Sequence, residues 1–161
     1  MKIKILIVFL VLFCAVIASA ETRKYQAIEI QRFDVKQGIK FPDDYVISLN
    51  NDLQTQLQKL NTFNVRMSDG SQTPDQPTMR IIGQITEYEP GSKTARALIG
   101  MLAGSTKVKP HIQVVDAADG SVLFEDDVDG KVTYWSPDQD SKGATEGLAK
   151  EVAKKIKKRF A

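Results

Sequence analysis

The chain has 161 residues, 42% of them hydrophobic, and its 22 Lys and Arg against 20 Asp and Glu leave a formal charge of only +2. So balanced a charge supplies no field to gather nucleic acid, which leaves that class of partner without its usual electrostatic basis. A single histidine, His111, excludes multi-histidine zinc sites and histidine relays.

Residues 1–20 read as a secretory signal peptide. Lys2 and Lys4 give the positive n-region, Ile5 to Phe13 the apolar core, and Ala18-Ser19-Ala20 the small-x-small site cut before Glu21. The apolar stretch is shorter than the roughly twenty residues a membrane span needs. Phe13 stands where a lipoprotein needs a small residue before its modified cysteine, so a lipid anchor at Cys14 is disfavoured. Cleavage after Ala20 would remove Lys2, Lys4 and Cys14, leaving twenty basic and twenty acidic side chains and no thiol. The expected mature chain, residues 21–161, is then one globular domain in the periplasm or outside the cell, held by packing without disulfides.

Tyr25 to Val35, rich in Ile, Phe and Val, predicts a first strand. Pro42 suits the first helical position, with Asp43 and Asp44 in the positive first turn. Val46, Leu49, Leu53, Leu57 and Leu60 then recur at helical spacing. Phe63 to Met67 predicts a short strand, followed by a polar loop from Ser68 to Pro77. This strand, helix, strand order implies a crossover and a parallel pair. Met79 to Tyr88 predicts a longer strand closed by Pro90-Gly91. Around residue 110, Val108, Ile112 and Val114 alternate with Lys107, Lys109, His111 and Gln113, a strand with one wet face. Pro110 weakens that strand or places it at an edge. Asp119-Gly120 turns the chain back into Val122 and Phe124, and residues near 106 to 134 form antiparallel hairpins. Leu148, Val152, Ile156 and Phe160, with Ala149 and Ala153, stripe a closing helix over 143–160. The expected architecture is α+β: a single mixed sheet of about five strands, β-α-β and then an antiparallel meander, packed with two helices.

Candidate chemistry is sparse. Glu125-x-Asp127-x-Asp129-Gly130 resembles the start of a calcium loop, but its closing position falls on Ser136, and alternation alone puts the three acids on one solvated face. Gly91-Ser92-Lys93-Thr94 and Gly104-Ser105-Thr106-Lys107 lack the earlier glycine of a phosphate-binding loop. No metal or cofactor is expected. Glu87 with Glu89, or Asp126 with Asp127, are the carboxylate pairs that acid-base work would need. Lys150, Lys154, Lys155, Lys157, Lys158 and Arg159 suit a helix C-terminus, and they also offer a weak contact with an anionic membrane surface.

The most distinctive internal stretch joins two strands. It is apolar, carries an isolated Arg96, and spaces Gly100 and Gly104 so that backbones can approach closely. Gly91, Arg96, Leu98, Gly100, Met101 and Gly104 are therefore candidate interaction residues, together with Trp135 beside Tyr134.

Ile82-Gly83-Gln84-Ile85, then Pro90-Gly91, Arg96, Gly100, Gly104-Ser105 and Asp116-x-x-x-Gly120 resemble the bacterial family called domain of unknown function 4410. The resemblance runs from about Tyr25 to Phe160. It implies an envelope protein whose sheet and flanking helices are distantly similar to the curli-export lipoprotein and the Tol N-terminal domain. Many such relatives are lipoproteins, a pattern from which Phe13-Cys14 departs. Residues and resemblance together point to a non-catalytic binding or assembly module of the cell envelope, with an envelope protein or a second copy as partner. The alternative is an envelope hydrolase acting on glycan or lipid through a carboxylate pair.

Overall fold

Two periodicities organise this molecule, and each produces one layer of it. A computed structural model describes residues 25–90, 106–132 and 142–161. In chain order the elements are β1 (Ala27–Ile30), β2 (Asp34–Val35), α1 (Asp43–Gln58), β3 (Asn64–Met67), β4 (Thr78–Glu89), β5 (Thr106–Asp116), β6 (Val122–Asp127), β7 (Gly130–Val132) and α2 (Lys142–Phe160). The strands form one mixed sheet in the order β3-β1-β4-β5-β6, with β2 continuing alongside β4 and β7 alongside β5. The architecture is α+β, as the order of periods predicts.

Both helices pack on the same face of the sheet. The alternation in β1, β4 and β5 sends Ile28, Ile30, Met79, Ile81, Ile85, Val108, Ile112 and Val114 to that face. There they meet Val46, Leu49, Leu53 and Leu57 of α1 and Leu148, Val152 and Ile156 of α2. The predicted stripes are the buried ones, except that Leu60, past the end of α1, and Phe160, the last residue of α2, are only partly covered. Pro42 falls one place earlier than predicted, at the N-cap in extended conformation, with Asp43 and Asp44 opening the helix behind it. Thr145 Oγ1 donates to Asp52 Oδ2 across 2.7 Å and ties the two helices together.

Three departures from the sequence reading have local causes. The first strand divides into β1 and β2, because Ile30 is opposite Ile81 and Asp34 opposite Gln84, so four steps along one chain match three along the other. The extra residue lets Phe33 swing over Gly83, where any side chain is excluded: a Cβ built there would lie 1.2 Å from a Phe33 ring carbon. Pro110 neither interrupts β5 nor marks an edge, since β5 runs unbroken between β4 and the β6-β7 pair. It lies opposite the bulge in β4 between Ile85 and Glu87, and on its other side it falls between the stretches paired with β6 and with β7. A missing N-H costs least at such a gap.

The third departure decides what the other face looks like. β3 and β4 both run parallel to β1 from opposite sides, so residues 68–77 must carry the chain across β1. The helices occupy one face; this strap crosses the other. Gln31 Nε2 donates to the carbonyl of Asp69, and Arg80 Nη2 donates to that of Gln72, pinning it in place. The helical crossover moves outward over one face and the strap moves back over the opposite face, which preserves the hand of connection.

Candidate functional site

The helix-free face carries the polar chemistry of the molecule. Cross-strand register sorts it into rows. Glu89 stands opposite Lys107, Glu87 opposite Lys109, Gln84 opposite His111 and His111 opposite Asp127, while Gln113 stands opposite Glu125. Each row brings opposite charges or hydrogen-bonding groups together, the arrangement that stabilises neighbouring strands. Lys107 Nζ lies 2.7 Å from Glu89 Oε2, and that hydrogen bond, with its charge, raises the lysine above its ordinary value. Lys109 lies between Glu87 and Asp129, at 4.0 and 3.5 Å. His111 is clamped at both ring nitrogens, Nδ1 at 2.8 Å from Asp127 and Nε2 at 3.1 Å from Glu125.

Under the strap, Glu29 is fully buried in a strand of the sequence Ala-Ile-Glu-Ile. Arg66 and Arg80 are its direct cross-strand neighbours on β3 and β4. Arg66 donates from Nε and Nη2 to Oε1 at 3.2 and 2.6 Å. Arg80 donates in the same way to Oε2 at 2.9 and 2.8 Å. Burial alone would raise this carboxyl, but the hydrogen bonds and charges of the two arginines outweigh it and hold Glu29 below the ordinary carboxylate range. Sequence reading missed the triad; its signal was a charge at one alternate position in each of three apolar strands.

Beside it, at the C-terminal ends of β1 and β3, a shallow depression of about 560 Å³ is lined by Gln31, Arg32, Asp34, Met67, Ser68 and Asp69. None of the acids singled out as candidate catalytic pairs lines it. Asp126 and Asp127 do not converge: Asp126 turns to the helix face and meets Lys155, whereas Asp127 takes His111 on the opposite face. Glu87 and Glu89 each face a lysine. The acids of the calcium-like sequence are likewise engaged by His111 and Lys109, and among the described residues no group of three or more potential ligands is arranged to hold a metal ion.

The basic end of α2 is partly absorbed by the fold. Lys155 pairs with Asp126, Lys150 with Glu146 and Lys154 with Glu151, and the Arg159 guanidinium stacks 4.9 Å from the Phe124 ring centre. Asp116, of the Asp116-x-x-x-Gly120 pattern, organises the β5-β6 turn by accepting Ala118 N-H and the Tyr25 hydroxyl. Gly91, Arg96, Leu98, Gly100, Met101, Gly104 and Trp135 lie outside the described residues.

One sheet with two helices on a single face, a strap on the other and charges paired row by row defines a small α+β domain without an assembled catalytic constellation among its described residues. The chain belongs to the family described as Domain of unknown function (DUF4410), which matches residues 34–135. No curated protein matches it. Among solved structures it is similar to the PelC dodecamer from Paraburkholderia phytofirmans, at 11% identity and a TM-score of 0.58, covering 81% of this chain and 86% of that one. It is also similar to the hypothetical protein CT253 from Chlamydia trachomatis, at 10% identity and a TM-score of 0.52, covering 83% of this chain and 95% of that one. At such identities the likeness is one of fold. No helix among the described residues is long and apolar enough to cross a membrane.

Proposed function

We propose that this protein is a non-catalytic module of the bacterial cell envelope, exported by a leader cleaved after Ala20, that works by binding a protein partner or by assembling with copies of itself. The observation that carries this reading is the use made of its charges: Glu87, Glu89, Asp126 and Asp129 each meet a lysine and Glu125 and Asp127 both meet His111, with Asp126 and Asp127 on opposite faces. Acid-base catalysis needs two carboxyls converging on one substrate bond. Self-association is supported by likeness of fold to PelC, which forms a dodecamer.

The test is fractionation of cells carrying the tagged full chain, with mass analysis of the recovered protein and its oligomeric state by native mass spectrometry. A periplasmic species beginning at Glu21 and present as a defined oligomer, or in complex with one envelope protein, is the expected result. Retention of the leader in the cytoplasm overturns the location, and a partnerless monomer overturns the assembly role. Photoreactive residues at Leu98 and Met101 would test whether the stretch from Gly91 to Gly104 forms part of the contact.

A further inference from the structure

We propose that copies of this chain join head to tail through the two free edges of the sheet, with β6 of one copy lying beside β3 of the next. The inference rests on the self-association reading above and assigns it a surface.

Among the described strands, β3 pairs only with β1 and β6 only with β5, so each presents one unpaired row of backbone N-H and C=O groups. Such edges take up another strand unless something prevents it. The two edges are complementary in charge. β3 carries Arg66 and no acid; β6 carries Glu125, Asp126 and Asp127 and no base. Arg66, Glu125 and Asp127 all stand on the helix-free face, so an added β6 would continue the existing Arg66-Glu29-Arg80 row with another carboxylate. The arginine retains 43% of its side-chain exposure despite its bond to Glu29.

Apolar exposure points to the same two places. The exposed large hydrophobic residues among those described are Ile47, Met67 and Val122, and two of the three sit on these edge strands, Met67 at 39% on β3 and Val122 at 55% on β6. Direction completes the argument. β6 runs against β5, β5 against β4, and β4 with β1 and β3, so β6 and β3 point the same way. Rotation about an axis along the strands therefore sets them side by side as parallel neighbours, with every pair of helices on the same side of the joint. A contact between two different patches, repeated by such a rotation, closes into a ring when the rotation divides a full turn and otherwise runs on as a filament.

The mature chain has no cysteine if the leader is removed, since Cys14 is the only one in the sequence. This permits a clean test on the exported, processed protein. Variants Asn64→Cys and Val122→Cys are prepared separately and together, treated with a short bismaleimide, and resolved by size, with native mass spectrometry on the unmodified protein alongside. Mixing the two single variants is expected to give crosslinked dimers, each alone to give none, and the double variant to give a ladder. Glu125→Lys with Asp127→Lys, checked for retained circular dichroism, is expected to disperse the oligomer. Dimers from either single variant alone would indicate a two-fold joint and overturn the proposal. An oligomer that yields no crosslink in the mixture overturns it while leaving self-association standing, and a monomer throughout removes both.

Discussion

Glu29 is shared between Arg66 and Arg80, one guanidinium on each carboxylate oxygen, and the carboxylate has no exposure to solvent. Removing the shared acid leaves two arginines side by side beneath the strap. Glu29→Gln is therefore expected to cost about 3 kcal/mol of folding stability, read as a lower midpoint in urea with an unchanged slope. A loss within measurement error would show that water already reaches the site and screens the pair.

The same carboxyl makes stability depend on pH in acid. Its folded value lies below the ordinary glutamate value of 4.5, so the unfolded chain binds the proton more readily. The contribution is complete above pH 4.5 and is lost as pH falls through the depressed folded value. Urea midpoints measured downward from neutrality should fall below that point, and the Glu29→Gln variant should show a shallower decline than the parent.

Gly83 and Gly120 should respond differently to alanine. At Gly83 the new methyl would collide with the Phe33 ring, and a loss of about 3 kcal/mol is expected, with partial recovery in Gly83→Ala combined with Phe33→Leu. At Gly120 nothing lies within 4 Å, but φ is +76°, so the cost is conformational, about 1 kcal/mol, and no second substitution should relieve it. A double-mutant cycle on the first pair and thermal melts on both single variants would separate the two causes.

Asn50 is buried on α1, and its Oδ1 has no hydrogen-bond partner among the described residues. An unsatisfied acceptor inside a core is a standing cost that an apolar side chain of similar size removes. Asn50→Leu is expected to raise stability by about 1 kcal/mol without changing the oligomeric state. A destabilised variant would mean that the amide makes contacts its packing needs.

The parts of this fold that were legible in the sequence are those carried by local periodicity. Leu49, Leu53 and Leu57 announce α1 because a helix repeats every 3.6 residues, and Val108, Ile112 and Val114 announce the buried side of β5 because a strand repeats every two. Glu29 with Arg66 and Arg80 was not legible, since partners 37 and 51 residues away become neighbours only once register is fixed. The split between β1 and β2 was hidden for the same reason: it depends on Phe33 finding the bare backbone of Gly83. Pro110 misled because a proline's place in a sheet is set by what lies opposite, here a bulge on one side and a gap on the other. His111 was correctly put on the wet face among lysines and its strand in an antiparallel hairpin, but the register that sets Glu125 and Asp127 against it was not legible.

Strand order also has a consequence for the timing of folding. β1 lies between β3 and β4, so Ile28 finds its neighbours only when Val65 and Met79 are available, and the core is sealed only by Leu148, Val152 and Ile156 near the end of the chain. A chain whose first strand has no early partner collapses late and slowly, because distant loops must close before any contact rewards them. Under the proposal that residues 1–20 export the chain, that delay keeps the polypeptide threadable until it has crossed the membrane.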